Sequence, residues 1–155
     1  MLKIENLVKN YGKCRALNGL SMEVKKGELF GFIGPNGAGK TTTIKIMAGL
    51  LRADSGHVYL DGKDALKDAD KLKQKIGYVP DNFGGYDNLK AIEYMEVYAS
   101  TYGLVGKEVQ KRCYELMEQV GLEGRGEIYV DELSRGMQQR LCLARAMIHK
   151  PDILI

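Results

Sequence analysis

The stretch Gly34-Pro35-Asn36-Gly37-Ala38-Gly39-Lys40-Thr41-Thr42 constrains the fold more than any other part of the chain. It fits the pattern G-x-x-x-x-G-K-[ST] of a phosphate-binding loop. Its glycines let the backbone approach a polyphosphate and turn several N–H groups toward it. Lys40 can place its ammonium on the terminal phosphates. At an effective dielectric near 20, a charge pair at about 4 Å is worth roughly 4 kcal/mol. The Thr41 hydroxyl suits Mg²⁺. A helix that starts inside the motif aims the positive end of its dipole at the anion. The competing reading, a Gly-rich turn with a surface lysine, should match the pattern by chance in on the order of 1% of chains this long. The flanks argue against it. Leu29-Phe30-Gly31-Phe32-Ile33 is an apolar run suited to a buried strand, and Ile44, Met47, Ala48 and Leu51 follow at helical spacing. Strand, loop and helix in that order are what phosphate binding needs.

The 155 residues suit one domain, and a hydrophobic content of 45% permits a packed core. A net charge of +3 and a pI of about 8.7, with both signs mixed along the chain, give no reason to expect nucleic acid as a partner. Cys14, Cys113 and Cys142 are far apart and suggest a reducing compartment, with Cys113 and Cys142 on helices. His57 and His149 lack ligand-spaced neighbours. No apolar run approaches the ~20 residues needed to span a bilayer, and the N-terminus is not a signal peptide. Action at a membrane would go through a partner.

Leu2 and Ile4, then Leu20, Met22 and Val24, alternate with polar residues, so the first thirty residues read as a β-meander feeding the loop. Val58 and Leu60 form a further strand, closed by Asp61-Gly62. Residues 63–75 suggest a short exposed helix, and Ile76-Gly77-Tyr78-Val79 a strand stopped by Pro80. Asn88 can cap a helix bearing Leu89, Ile92, Met95, Ala99 and Tyr102. Val109, Cys113, Leu116 and Val120 mark a second helix ending at Gly121. Ser134 caps a third, with Met137, Leu141, Ala144 and Ile148 on one stripe and Pro151 beyond it. Asp152-Ile153-Leu154-Ile155 begins an apolar strand, which suggests a fragment of a longer chain.

Gly34–Thr42 together with Leu133-Ser134-Arg135-Gly136-Met137-Gln138-Gln139-Arg140 resembles the ATP-binding cassette of ABC transporters. The first is similar to the Walker A motif. The second is similar to the family signature, commonly L-S-G-G-Q followed by Gln-Gln-Arg. The resemblance runs from Leu2 to Ile155. It implies an α/β fold: a P-loop NTPase core with an N-terminal antiparallel β-meander and an inserted α-helical subdomain, C-terminally incomplete. The β-rich P-loop core would span 1–80, the helical subdomain about 81–133, and the signature helix with the start of the Walker B strand 134–155.

The resemblance also implies roles. ATP and Mg²⁺ are the expected cofactors, held by Gly34, Pro35, Asn36, Gly37, Ala38, Gly39, Lys40, Thr41 and Thr42, with Thr41 on the metal. Tyr11 matches the aromatic residue that stacks on adenine, a contact worth about 1–3 kcal/mol per base where it has been measured. Asp81 falls where the family has the glutamine that contacts Mg²⁺ and the attacking water, and is a second expected metal ligand. Lys40 and Asp81 are therefore the expected catalytic residues. Asn82 to Tyr98 matches the region that receives a transmembrane permease, with Phe83, Tyr86, Tyr94 and Tyr98 as possible anchors. Ser134, Gly136 and Met137 would contact the γ-phosphate held by a second cassette in a head-to-tail homo- or heterodimer. Arg135 and Met137 depart from the common glycine and glutamine, which adds a positive charge and removes an amide.

In the family the strand beginning at Ile153 continues into the Walker B aspartate and the catalytic glutamate, beyond Ile155. Loss of one comparable transition-state group costs about 2.7–4 kcal/mol. The 155 residues alone are expected to hydrolyse poorly and to be unstable or aggregation-prone. The expected function of the parent is that of an ABC transporter ATPase subunit, on the cytoplasmic face of a membrane through its partner. The alternatives are a soluble ABC ATPase of DNA repair or ribosomes, and a non-hydrolysing nucleotide-binding module.

Overall fold

A computed structural model describes residues 1–81, 83–84 and 88–155, without the Ala69 side chain. Two compact units divide it, Met1–Lys73 and Gln74–Ile155.

The first unit is built on β1 (Leu2–Tyr11), β2 (Cys14–Val24), β3 (Ser55–Leu60) and β4 (Lys63–Asp64). They form one antiparallel sheet in the order β2-β1-β3-β4. β1 is central, and its alternation puts Leu2, Ile4 and Leu7 inward with Leu17 and Val58. Helix α1 (Lys40–Met47) follows the Gly-rich loop and buries Ile46 and Met47. The charged stretch after β4 contains a short 3₁₀ turn at Ala65–Lys67, then α2 (Ala69–Lys75), and Leu72 of α2 is buried.

One strand expected from the sequence is not formed. Leu29–Ile33 pairs with no strand among the described residues; Leu29 is 100% and Ile33 93% exposed. Apolar composition favours burial, but a strand also needs a ladder partner for its backbone N–H and C=O groups. This run has the first property without the second.

In the second unit, α3 (Ala91–Thr101), α4 (Lys107–Gln119) and α5 (Arg135–Ala146) pack on one another. Their shared core contains Ile92, Tyr94, Met95, Cys113, Met117 and Leu141. Leu141, Ala144 and Ile148 of the expected α5 stripe are buried, and Gly121 sits at φ 72° just past α4. Asn88 does not cap α3. It takes φ 67°, and Lys90 is the N-cap residue, its amide donating to the Glu93 carboxylate at 2.9 Å. The first-turn amides go to backbone carbonyls instead, Ala91 to Ile128 at 2.9 Å and Ile92 to Gly126 at 3.0 Å.

Two short strands, β5 (Ile76–Gly77) and β6 (Ile153–Leu154), pair in parallel. The Val79 amide extends the ladder to the Ile155 carbonyl at 2.8 Å. A side chain on Gly77 would collide with the Ala146 carbonyl, so glycine is required where the α5 end meets β5.

Candidate functional site

The Gly34–Thr42 loop closes on itself. Lys40 Nζ donates to the carbonyls of Gly34 and Pro35, each at 2.6 Å, and the Ala38 amide donates to the Pro35 carbonyl at 3.2 Å. Gly37 and Gly39 both take φ 83°. At Gly39 a Cβ would stand 2.5 Å from Leu17 Cδ2 and 2.6 Å from the Ala16 carbonyl oxygen. The loop is thus pressed against β2, and only glycine fits. Thr43, fully buried, donates its hydroxyl to the Gly39 carbonyl at 2.9 Å and fixes the first turn of α1.

Among the described residues no side chain caps α1 at Gly39. The first amides of a helix have no intrahelical acceptor, so those of Lys40, Thr41 and Thr42 stand at its positive end. Pro35, Asn36, Ala38 and Thr41 are exposed around them. Backbone N–H groups, an ammonium and a hydroxyl form a donor set that fits a polyphosphate, with Thr41 as a hydroxyl ligand for Mg²⁺.

Tyr11 ends β1 at the hairpin tip, 50% exposed, with Lys9 Nζ 5.8 Å from its ring centroid. Its face is available to a planar group. Tyr11 and the loop both belong to the first unit; Asp81 and Ser134 to Met137 belong to the second.

Ser134 caps α5, its Oγ accepting from the Met137 amide at 3.3 Å. Buried Leu133 anchors the turn before it, and Gln138 Nε2 donates to the Val130 carbonyl at 3.0 Å. Arg140 Nη1 donates to the Gly121 carbonyl at 2.9 Å and ties α5 to the end of α4. Ser134, Arg135 and Gly136 are exposed, and a Cβ on Gly136 would meet nothing within 4 Å among the described residues. Nothing in its own surroundings demands a glycine at 136.

Asp81 is exposed after Pro80. Burial raises the Tyr78 hydroxyl above its usual range, and the Asp81 charge adds to the shift. Of the four aromatic residues expected to receive a partner, Tyr94 is fully buried and stacks on Phe83 at 5.1 Å. It is a core residue. Tyr98 packs partly buried against the same core, and Tyr86 lies outside the described residues, as do Asn82, Gly85 and Asp87.

Two residues that sequence pattern alone passes over hold these segments. Arg145 of α5 reaches Tyr94, Tyr98 and the Tyr78 carbonyl. Asp54, before β3, reaches Lys9 and Asn10 beside Tyr11. Neither belongs to a motif; each could be found only by asking what a charge beside an apolar stripe or a turn is paired with.

Among known proteins, the chain is 43% identical over its whole length to the linearmycin resistance ATP-binding protein LnrL of Bacillus subtilis, covering 50% of that protein. It is 37% identical to the bacitracin transport ATP-binding protein BcrA of Bacillus licheniformis, again over 50% of the relative. The chain thus spans about half the length of these relatives. Among solved structures, the dimeric bacterial ABC transporter cassette MJ0796 matches with a TM-score of 0.86 and 32% identity, over 99% of this chain and 72% of that one. The same cassette in a dimeric post-hydrolysis state with ADP and Pi matches with a TM-score of 0.87 and 30% identity. The α/β P-loop fold with its N-terminal antiparallel sheet is that of these cassettes, covered in part. A profile described as ABC transporter matches residues 17–155, and the chain belongs to the ABC transporter family.

Proposed function

We propose that this chain is the ATP-binding part of an ABC transporter, in which nucleotide binding and hydrolysis drive a permease in the membrane. The observation that carries the reading is the Gly34–Thr42 loop, held against β2 at Gly39 and running into an uncapped α1. In this reading the amides from Gly37 to Thr42 cradle the β- and γ-phosphates, and Lys40 exchanges its two carbonyl partners for phosphate oxygens. Tyr11 stacks on the base. Mg²⁺, when bound, neutralises charge on the phosphate oxygens. Among the described residues no three His, Cys, Asp or Glu side chains cluster. Thr41 offers a hydroxyl; Asp81 stands where the family has a glutamine and keeps an oxygen that can ligand Mg²⁺.

Ser134 and Gly136 are read as the closing half of a second nucleotide site, in a head-to-tail pair with another cassette. The open space at Gly136 supports this, because glycine there suits close approach by something outside the chain. Among the described residues no helix is long and apolar enough to cross a membrane. In this reading coupling to transport uses a permease subunit or domain, with the cassette on its cytoplasmic side.

The test is Lys40→Ala in the full-length protein assembled with its permease. ATP-dependent transport should be abolished and ATP affinity should fall by an order of magnitude or more, about 1.4 kcal/mol for each factor of ten. Normal transport by this variant would overturn the assignment.

A further inference from the structure

The hairpin tip that carries Tyr11 does not hold its shape by strand pairing alone. The β1–β2 register runs Lys9 against Leu17 and then Asn10 against Arg15, so a bulge falls between Lys9 and Asn10. The Asn10 amide bonds instead to Asp54 Oδ2, at 2.6 Å. Asn10 Nδ2 donates to the same oxygen at 3.0 Å, and Lys9 Nζ donates to Asp54 Oδ1 at 2.9 Å. The Asp54 amide in turn donates to the Val8 carbonyl at 2.9 Å. Asn10 Oδ1 accepts from Arg15 Nε at 3.3 Å, which carries the connection into β2. Lys9 and Asn10, the β1 residues that flank the bulge, are therefore both bonded to Asp54, and Arg15 is joined to it through Asn10.

Asp54 lies between α1 and β3, at the far end of the segment that leaves the phosphate loop. Its hydrogen bond from Lys9, then those from Asn10, hold its carboxyl below the usual aspartate range. The same Lys9 ammonium that bonds Asp54 lies over the Tyr11 ring. One carboxylate thus fixes the residue before Tyr11 and the cation on its ring.

We propose that Asp54 is a positioning residue for nucleotide recognition, holding Tyr11 in the place where it stacks on the base. The inference rests on the reading of Tyr11 as the base platform. Asp54 acts on the base and not on the phosphates, since its contacts end at the hairpin tip. Asp54 itself is exposed and Lys9 half-buried, so their ion pair contributes only modestly to global stability. Removing it should therefore disturb recognition before folding.

The experiment compares ATP with inorganic tripolyphosphate, which has no base, on the full-length protein. Asp54→Ala should weaken ATP binding about 3–10-fold, a part of what a lost stacking contact costs, and change tripolyphosphate binding less than about twofold. Asp54→Asn, which keeps an acceptor for the Asn10 amide, should restore part of the ATP affinity. Equal weakening of both ligands, or weakening of neither, would overturn the proposal. If Asp54→Ala does not fold, the comparison passes to Asp54→Asn and Asn10→Ala, with the same selective loss required. Tyr11→Ala is measured alongside. If that variant binds ATP normally, the base-platform reading itself fails; if it loses ATP affinity and the Asp54 variants do not, only the role of Asp54 fails.

Discussion

Arg145 Nη1 donates to the Tyr94 hydroxyl oxygen at 2.8 Å within the helical core of the second unit. The guanidinium also lies 4.6 Å from the Tyr98 ring centroid, and Nη2 donates to the Tyr78 carbonyl at 3.4 Å. Among the described residues it has no carboxylate partner. A charged group in such surroundings depends on its neutral acceptors and on the ring faces. Tyr94→Phe removes the hydroxyl acceptor and keeps the ring, and should cost about 1–3 kcal/mol of unfolding free energy. A double-mutant cycle with Arg145→Met should give a coupling of about 0.5–3 kcal/mol in urea denaturation. Additive losses would show that the bond contributes nothing of its own.

Gly39→Ala should destabilise the first unit. The substitution places a Cβ at φ 83° and within 2.6 Å of the Ala16 carbonyl oxygen, which is backbone and cannot swing away. A loss of about 1–3 kcal/mol is expected, together with loss of ATP binding. Thermal melting and nucleotide titration of the same preparation check both.

Gly136→Ala should behave in the opposite sense. There is space for the methyl group, and alanine in a helix is favoured over glycine by up to about 1 kcal/mol. Stability should be unchanged or higher, while ATP-driven pairing of two cassettes should weaken. Sedimentation with ATP and without Mg²⁺ measures the pairing. Unimpaired dimerisation would remove Gly136 from the nucleotide interface.

His149 should make stability fall on mild acidification. Its ring stacks on Tyr102 at 4.0 Å, its Nε2 donates to the Ile76 carbonyl at 3.2 Å, and its Nδ1 is buried without a hydrogen-bond partner among the described residues. Burial, with Arg112 nearby, lowers its pKa below the ordinary 6.5. The unfolded chain then takes up a proton at a higher pH than the folded one. Stability is fully present above 6.5 and is lost as pH falls from there toward the depressed folded value. His149→Phe keeps the stack and gives up the Ile76 bond. It should be less stable at neutral pH by about 1 kcal/mol and lose less on going to pH ~5.5. Urea midpoints at the two pH values measure the difference.

The local signals in the sequence carried the elements whose physics is local. Ser134 caps α5 because a hydroxyl before an amphipathic run satisfies a free amide, and Gly121 ends α4 because it alone takes a left-handed turn cheaply. Leu29–Ile33 was not legible in this way, because strand formation depends on a partner elsewhere in the chain. Asn88 failed as a cap for a similar reason: the carbonyls of Ile128 and Gly126, distant in sequence, take the first-turn amides. At the candidate site the glycine-rich turn into α1 reads directly from its spacing. Asp54 and Arg145 do not, since their meaning lies in contacts 44 and 51 residues distant in sequence.

The lysine of the phosphate loop is already satisfied by the two carbonyls of Gly34 and Pro35. Any anion that recruits it must first outbid two dipoles at short range. A singly charged ion gains little from that exchange, whereas the clustered charge of a triphosphate tail gains enough to complete it. Under the proposed function the loop would thus respond to charge density, since a compact polyanion compensates for the loss of both carbonyls better than a monoanion does.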